Sequence, residues 1–218
     1  TVAFIGSTGS GKSTLINLIP RYYDVTAGQV LVDGVNVKAY REEALHDKMG
    51  FIPQKPVMFN GTIRSNLAFG TNAHGGLTDE DLMKAARIAQ AEEFIKKNPD
   101  GLNAEVSQGG LNLSGGQKQR LAIARAIARK PEILVFDDSF SALDYRTDRI
   151  LRDTLKRETA DTTKLIVAQR IGTIIDADQI IVLDKGKVVG HGTHDELMAS
   201  NEVYQEIAYS QLSKEELA

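Results

Sequence analysis

Short apolar runs, each bounded by turn residues, recur along the chain. They occupy residues 1–5, 50–53, 133–137, 164–168 and 179–184. Continuous apolar runs of this length are typical of strands that are buried on both faces, as in a parallel sheet covered by helices. Helical patterns lie between several of the runs, which is the alternation expected of such a sheet. The pattern therefore predicts an α/β fold with a mostly parallel sheet core.

One segment predicts a different kind of strand pairing. Gly28 to Val35 reads GQVLVDGV, with an Asp33-Gly34 turn inside it. An Asp-Gly pair between alternating apolar residues favours a tight hairpin. We expect an antiparallel β arm here.

The stretch from about 60 to 130 favours helices over strands. A helix is expected to open at Thr78, a Pro/Gly-rich break follows at 98–101, and an Ala-rich helix is expected from Gln117 to Arg129. This stretch predicts a helical subdomain. A capping box, Thr193 to Glu196, predicts a helix start near the C-terminus.

Composition excludes some classes of function and leaves others open. With 218 residues and no cysteine, the chain is large enough to bury a core without disulfides. The net charge of −3, with acidic and basic residues mixed, gives no electrostatic basis for binding nucleic acid. No stretch approaches the roughly 20 apolar residues that span a bilayer, and no signal peptide is visible. Because the chain begins directly on a strand, we expect it to be N-terminally incomplete.

A glycine-rich loop between the first strand and a helix carries the first chemical signal. It fits the pattern G-x-x-x-x-G-K-[ST] in full. Its residues are Gly6, Ser7, Thr8, Gly9, Ser10, Gly11, Lys12, Ser13 and Thr14. Glycines allow several backbone N–H groups to point at one anion, and the helix adds its positive N-terminal end. Lys12 is placed to reach the outer phosphates of a nucleotide and Ser13 to ligate Mg²⁺.

A second signal is the carboxylate that closes the apolar strand at 133–137. Strand ends of parallel sheets lie together beside the phosphate loop, so Asp137 is expected to hold the Mg²⁺ shell. Alone, an acidic residue at a strand end would mean little.

A narrower motif, Leu113-Ser114-Gly115-Gly116-Gln117, follows in the helical stretch. With the phosphate loop and Asp137, it resembles the signature of the ATP-binding cassette (ABC) family, a group of P-loop NTPases. Ser114 is a good N-cap, and the two glycines expose the start of the next helix, which creates a second anion site. In that family two domains pair head to tail, and each ATP lies between one chain's phosphate loop and the other chain's signature. The resemblance thus implies Mg-ATP binding by Ser114, Gly115, Gly116 and Gln117 of one chain at its partner's site.

The resemblance covers nearly the whole chain and assigns further roles. Gln54 looks like the Q-loop glutamine, which contacts Mg²⁺ and reports to a membrane domain. Asp144, in Ser141-Ala142-Leu143-Asp144, looks like part of the D-loop at the nucleotide.

Two segments resemble the exporter branch of the family. One follows the Q-loop, at 56–67. The other, at 105–110, is similar to the exporter cross-linking loop, although Gln108 stands where a glutamate is usual. The resemblance implies a transmembrane domain as partner, expected upstream of Thr1, and a place at the cytoplasmic face of the cell membrane. The family's adenine-stacking aromatic residue would also lie upstream.

Two positions depart from the family pattern. Asp138 stands where a glutamate polarises the attacking water, and a carboxylate withdrawn by about 1 Å costs about a hundredfold in rate. Gln169 stands where a histidine holds the γ-phosphate, and an amide cannot carry an imidazolium charge. Together these changes resemble the degenerate-site subunit of a heterodimeric multidrug exporter. Its own hydrolysis would be slow, and its signature would complete the site of a different partner chain.

Other functions stay open at this point. The chain could be an ordinary homodimeric ATPase with conservative substitutions, or a mainly non-hydrolytic regulatory ATP-binding module. A DNA-repair or chromosome ATPase would require a long coiled coil between loop and signature, for which no heptads are present. A small-molecule kinase would not need the residues from Leu113 to Gln117.

Overall fold

A computed structural model describes residues 1–70 and 75–211. Residues 71–74 of the expected helical subdomain and the last seven residues of the chain lie outside the described ranges. The chain divides into two compact units. Unit 1 comprises residues 1–46, 135–141 and 163–218, and unit 2 comprises residues 47–134 and 142–162.

Strands and helices alternate along the chain. The strands are β1 (Val2–Gly6), β2 (Leu31–Val32), β3 (Val35–Asn36), β4 (Met49–Ile52), β5 (Gly61–Thr62), β6 (Glu105–Val106), β7 (Ile133–Asp137), β8 (Thr163–Val167), β9 (Gln179–Asp184) and β10 (Lys187–Gly192). The helices are α1 (Lys12–Asn17), α2 (Glu42–Asp47), α3 (Ile63–Leu67), α4 (Asp79–Ile88), α5 (Glu92–Lys97), α6 (Gly115–Ala128), α7 (Tyr145–Glu158), α8 (Ile171–Ile174), α9 (His194–Ser200) and α10 (Glu202–Gln211). Short 3₁₀ turns occur at 37–39, 101–103 and 108–110.

Unit 1 is organised around a sheet in the order β10-β9-β1-β8-β7. β1 is parallel to both of its neighbours, β8 and β9, whereas β10 returns antiparallel to β9. The centre of β1 is apolar and buried, with Ala3 and Ile5 fully covered. This burial explains why the strand sequence is continuously apolar instead of alternating. The carboxyl ends of β1, β7 and β8 lie at one edge of the sheet, where the loops that follow them meet.

Unit 2 consists mainly of helices. α6 packs against α3, α4 and β4. The alanine-rich sequence of α6 suits this role, because Ala122, Ala124 and Ala126 are buried and allow close helix approach. β7 starts in this unit, where the Ile133 N–H donates to the Lys48 carbonyl.

The predicted elements are confirmed with small changes of boundary. The five apolar runs form β1, β4, β7, β8 and β9, and the sheet core is mostly parallel. The hairpin at Asp33-Gly34 is shorter than expected, since only β2 and β3 pair. α6 begins at Gly115, two residues earlier than predicted, because Ser114 caps it. Thr78 and Thr193 cap α4 and α9 as expected.

Candidate functional site

The phosphate-type loop of unit 1 connects β1 to α1, and its backbone requires glycine. A Cβ on Gly6 would lie 2.1 Å from the Leu183 carbonyl oxygen and 2.7 Å from Ser10 Oγ. Gly9 and Gly11 adopt φ angles of 81° and 97°, which side chains disfavour. The strand therefore passes close to β9, and the loop then curls into the helix without a side chain in the way.

Lys12 is folded inside this loop. Its Nζ donates to the Gly6 carbonyl at 2.8 Å, the Ser7 carbonyl at 2.9 Å and Ser10 Oγ at 3.3 Å. Burial lowers the pKa of Lys12, and the negative charges of Asp138 and Asp137 partly oppose that shift. A buried ammonium held by neutral oxygens is well suited to bind an anion that enters the loop.

Ser13 and Asp137 meet beside the lysine. Ser13 Oγ donates to Asp137 Oδ1 at 2.7 Å, joining the start of α1 to the end of β7. A hydroxyl and a carboxylate side by side are hard oxygen donors of the kind that Mg²⁺ prefers. These two residues fit a magnesium site, and the sequence has no cysteine that could add a thiolate ligand.

Asp138 and Gln169, the two departures from the family pattern, are bonded to each other. Gln169 Nε2 donates to Asp138 Oδ2 at 2.7 Å. Asp138 is only 7% exposed, and its N–H donates to the Val167 carbonyl at 3.0 Å. Its φ of 48° lies in the left-handed region, which aspartate tolerates better than most side chains. Sequence reasoning treated the two residues separately and missed this bond. Their positions immediately after β7 and close after β8, which neighbour each other in the sheet, were the available signal.

The signature residues lie in unit 2 and start α6. Ser114 Oγ accepts a hydrogen bond from the Gln117 N–H at 3.2 Å, and Gln117 Oε1 accepts one from the Ser114 N–H at 2.9 Å. This reciprocal pair is a capping box. Gly115 is exposed, and a Cβ there would touch nothing within 4 Å. The start of α6 is thus preorganised, and its N–H groups are open to solvent on the Gly115 side.

Gln54 and Asp144 also belong to unit 2. Gln54 follows β4 after Pro53 and is exposed. Asp144 caps α7, accepting from the Thr147 N–H at 2.9 Å and from Thr147 Oγ1 at 2.7 Å. These two hydrogen bonds lower the pKa of Asp144. Unit 1 therefore brings together Lys12, Ser13, Asp137, Asp138 and Gln169, while Gln54, Asp144 and the signature are positioned by the elements of unit 2.

Comparisons with known proteins all find ABC transporter proteins. The family model described as "ABC transporter" matches residues 1–141. The chain is 50% identical over 211 residues to an ABC transporter ATP-binding protein of Mycobacterium bovis, covering 97% of this chain and 36% of that protein. It is 45% identical over 207 residues to a Staphylococcus aureus protein named as a multidrug export ATP-binding/permease protein, covering 95% of this chain and 35% of that protein. The chain thus spans about a third of the length of these relatives.

A solved structure is similar over almost the whole chain. It is that of a bacterial Atm1-family ABC exporter with ATP bound, with a TM-score of 0.92 and 38% identity, covering 98% of this chain and 37% of that one. Within residues 1–70 and 75–211, no helix has the length and apolar character needed to cross a membrane.

Proposed function

The chain belongs to the ABC transporter family, and from that premise we propose that it is the ATP-binding and ATP-hydrolysing motor domain of an exporter. The observation that carries the proposal is the cluster of Lys12, Ser13 and Asp137 at the end of β1 and β7. The Lys12 ammonium, which can bind an anion, lies there beside the oxygens of Ser13 and Asp137, which suit a divalent cation. This combination is what a metal-bound triphosphate requires.

The nucleotide is held by this chain's own groups. The loop from Gly6 to Thr14 wraps the phosphates, and Lys12 leaves its carbonyl partners to contact their outer oxygens. Ser13 and Asp137 would hold Mg²⁺, and Gln54 is the further ligand that the family resemblance implies. Held by these residues, Mg²⁺ would supply charge neutralisation at the phosphates. Asp138 lies next in the chain, where a carboxylate can orient the attacking water.

The functional unit contains two such domains paired head to tail. The capped and solvent-open start of α6 at Ser114 and Gly115 supports this arrangement, because backbone N–H groups at a helix start bind phosphate oxygens. Gln117 completes this signature and Asp144 lies at the paired surface. Each ATP is then enclosed by one chain's loop and the other chain's signature.

Hydrolysis at this chain's own site is slow, and the second domain is a different chain. Asp138 is one methylene shorter than the usual glutamate, and Gln169 carries no charge. Their 2.7 Å hydrogen bond supports the proposal, because it uses a lone pair of the carboxylate and a donor of the amide that would otherwise face the nucleotide. The second candidate is an ordinary homodimeric ATPase, in which this bond would instead hold Asp138 in a working position.

The partner that completes the machine is an exporter transmembrane domain, at the cytoplasmic face of the cell membrane. The named export role of the Staphylococcus aureus relative and the solved exporter support this assignment. So does the length of the relatives, of which this chain spans about a third. The proposal includes no nucleic acid, because a net charge of −3 gives no electrostatic basis for binding it.

The proposal is tested on the intact polypeptide reconstituted in lipid vesicles. We expect Mg-dependent ATP binding and ATPase activity that requires two domains in one assembly. Ser13→Ala should weaken the Mg²⁺ dependence, whereas Ser200→Ala, at the exposed end of α9, should leave it unchanged. ATP binding that ignores Mg²⁺, or full activity from a dissociated single domain, would contradict the proposal.

A further inference from the structure

The last residue of α10 holds the segment that carries Gln169. Gln211 Nε2 donates to the Gln169 carbonyl at 2.7 Å, and Gln211 Oε1 accepts from the Ile171 N–H at 2.9 Å. One side-chain amide therefore binds the backbone on both sides of Arg170. The two partners are 40 and 42 residues away in the chain from this glutamine.

The geometry of the contact is that of a strand pair. Arg170 is extended, with φ −106° and ψ 128°. In an extended chain, the carbonyl before a residue and the N–H after it face the same side, where a neighbouring strand would bind them. The glutamine amide offers one donor and one acceptor in the same plane and replaces that strand. The reverse assignment of its oxygen and nitrogen would set donor against donor, so the network fixes the orientation.

The contact also satisfies the start of α8. The first N–H groups of a helix have no partner inside the helix. Arg170 stands at the N-cap position of α8 and gives no side-chain cap. Gln211 supplies the missing acceptor to Ile171 from another helix.

Both sides of the Gln169 segment are thereby fixed. On the strand side, the Ala168 N–H donates to the Phe4 carbonyl at 3.1 Å. On the helix side, Gln211 binds the segment. Between these two anchors, Gln169 sends its side chain to Asp138 Oδ2. We propose that Gln211 is a positioning residue, which sets the backbone from which Gln169 reaches Asp138 and the nucleotide.

A purely structural role for Gln211 does not fit its surroundings. α10 is anchored earlier in its length by Tyr204 and Ala208, which are both fully buried. α10 also packs against α8 and β1. Gln211 itself is exposed. The helix therefore stays docked without this side chain, and what the side chain adds is the fixed position of residues 169–171.

The test measures hydrolysis and amide exchange in the reconstituted full-length protein, and it rests on the proposed ATPase function. Gln211→Leu should accelerate hydrogen exchange at the Ile171 amide about tenfold and lower single-turnover ATP hydrolysis at this chain's site about tenfold. The loss stays below the hundredfold that a 1 Å displacement causes, because the Ala168 anchor remains. The dissociation constant for Mg-ATP should not change. Gln211→Glu keeps the acceptor for Ile171 and should restore the slow exchange while recovering only part of the rate.

The matched control is Gln205→Leu on the same helix, where the lost bond goes to the Met198 carbonyl instead of the site. It should change neither the hydrogen exchange at the Ile171 amide nor the rate of ATP hydrolysis.

In a Gln169→Ala background, Gln211→Leu should lower the rate of hydrolysis no further, because the side chain that Gln211 positions is gone. An equal loss in both backgrounds, or unchanged exchange at Ile171, would overturn the inference. Absence of hydrolysis in the unmodified protein would instead count against the proposed function, since the exchange measurement tests the clamp independently.

Discussion

Gln169 and Asp138 are joined by a 2.7 Å hydrogen bond from amide nitrogen to carboxylate oxygen. The two positions at which the chain departs from its family's sequence pattern are therefore one physical unit. A neutral amide donor matches an aspartate that cannot extend further, and neither group is placed independently of the other. Changing one member should displace the other, because each then loses this hydrogen bond, and a hydrogen bond to a charged group is worth about 1.5–3 kcal/mol.

The first prediction concerns this coupling. Asp138→Glu together with Gln169→His should raise single-turnover hydrolysis at this chain's site about tenfold or more, because the longer carboxylate recovers about 1 Å of reach. Either change alone should raise the logarithm of the hydrolysis rate by less than half as much as the double change does. A double variant no faster than the original would show that these two residues do not limit the rate.

The second prediction concerns Lys12. Lys12→Ala should abolish tight ATP binding, measured by titration calorimetry, because the loop loses its mobile cation. Lys187→Ala, which removes an exposed lysine from β10, is the control and should bind normally. Unchanged ATP affinity in Lys12→Ala would contradict the assignment.

The affinity should also depend on pH in a definite direction. Burial lowers the pKa of Lys12 below its usual value of 10.5. As the pH rises through that lowered pKa, Lys12 of the free protein loses its charge and ATP affinity should fall. This fall should occur at a lower pH than the one at which an exposed lysine would lose its charge. Lys12→Arg, which stays charged, should bind with a flatter pH profile.

The third prediction concerns the close approach at Gly6. Gly6→Ala would place a methyl group 2.1 Å from the Leu183 carbonyl, so backbone must move. We expect a loss of about 1–3 kcal/mol in the free energy of unfolding, together with weaker ATP binding. Gly172→Ala, in α8, meets nothing within 4 Å and should be neutral or slightly stabilising. Equal unfolding midpoints in urea for the two variants would refute the steric argument.

The fourth prediction concerns stability at high pH. Burial, helped by the charge of Asp195, raises the pKa of Tyr204 to about 12 from its ordinary value of 10.0. The folded state therefore prefers the neutral phenol. The stabilisation is complete below pH 10.0 and is lost as the pH rises toward about 12.

Urea unfolding between these pH values tests this sign. Tyr204→Phe keeps the ring but loses both the ionisable group and the bond to His194 Nδ1 at 2.8 Å. It should be less stable at pH 8 and should lose less stability than the original as the pH rises. Tyr145→Phe, at an exposed position, is the control and should follow the original curve. Parallel curves for Tyr204→Phe and the original would show that this tyrosine does not contribute.

Local patterns predicted most of the fold, and contacts distant in sequence account for what they missed. Continuous apolar runs are enough to locate β1, β7, β8 and β9, because strands buried on both faces leave no polar alternation. Capping boxes at Thr78 and Thr193 act within four residues and are visible in the sequence. The left-handed conformation of Asp138 has no comparable signal. Neither does the bond from Gln211 to the Gln169 carbonyl, since it depends on how α10 docks in unit 1.

The candidate site shows the same division. The phosphate loop is a local motif, and the structure places Ser13, at the start of α1, beside Asp137, at the end of β7. The sequence could name Asp138 and Gln169 as departures from a pattern. It could not predict that they touch, because that contact needs the register of β7 against β8 and the backbone turn at Asp138.

The last prediction separates an asymmetric pair of sites from an equivalent pair. If this chain's own site is slow, Asp138→Asn should lower steady-state ATPase of the reconstituted assembly only about twofold or less. Removing the partner's catalytic carboxylate should then nearly stop it. Ser114→Ala should act at a distance and depress hydrolysis at the partner's site, because that site borrows the start of α6 and its N–H donors. Ser210→Ala, which removes an exposed hydroxyl bonded to the Ile207 carbonyl, serves as the neutral control.

Equally severe losses of ATPase activity from Asp138→Asn and from removal of the partner's catalytic carboxylate would mean that the two sites are equivalent. If Asp138→Asn alone stops turnover, the bond from Gln169 holds a working aspartate base, and the chain is an ordinary ATPase with a shorter carboxylate.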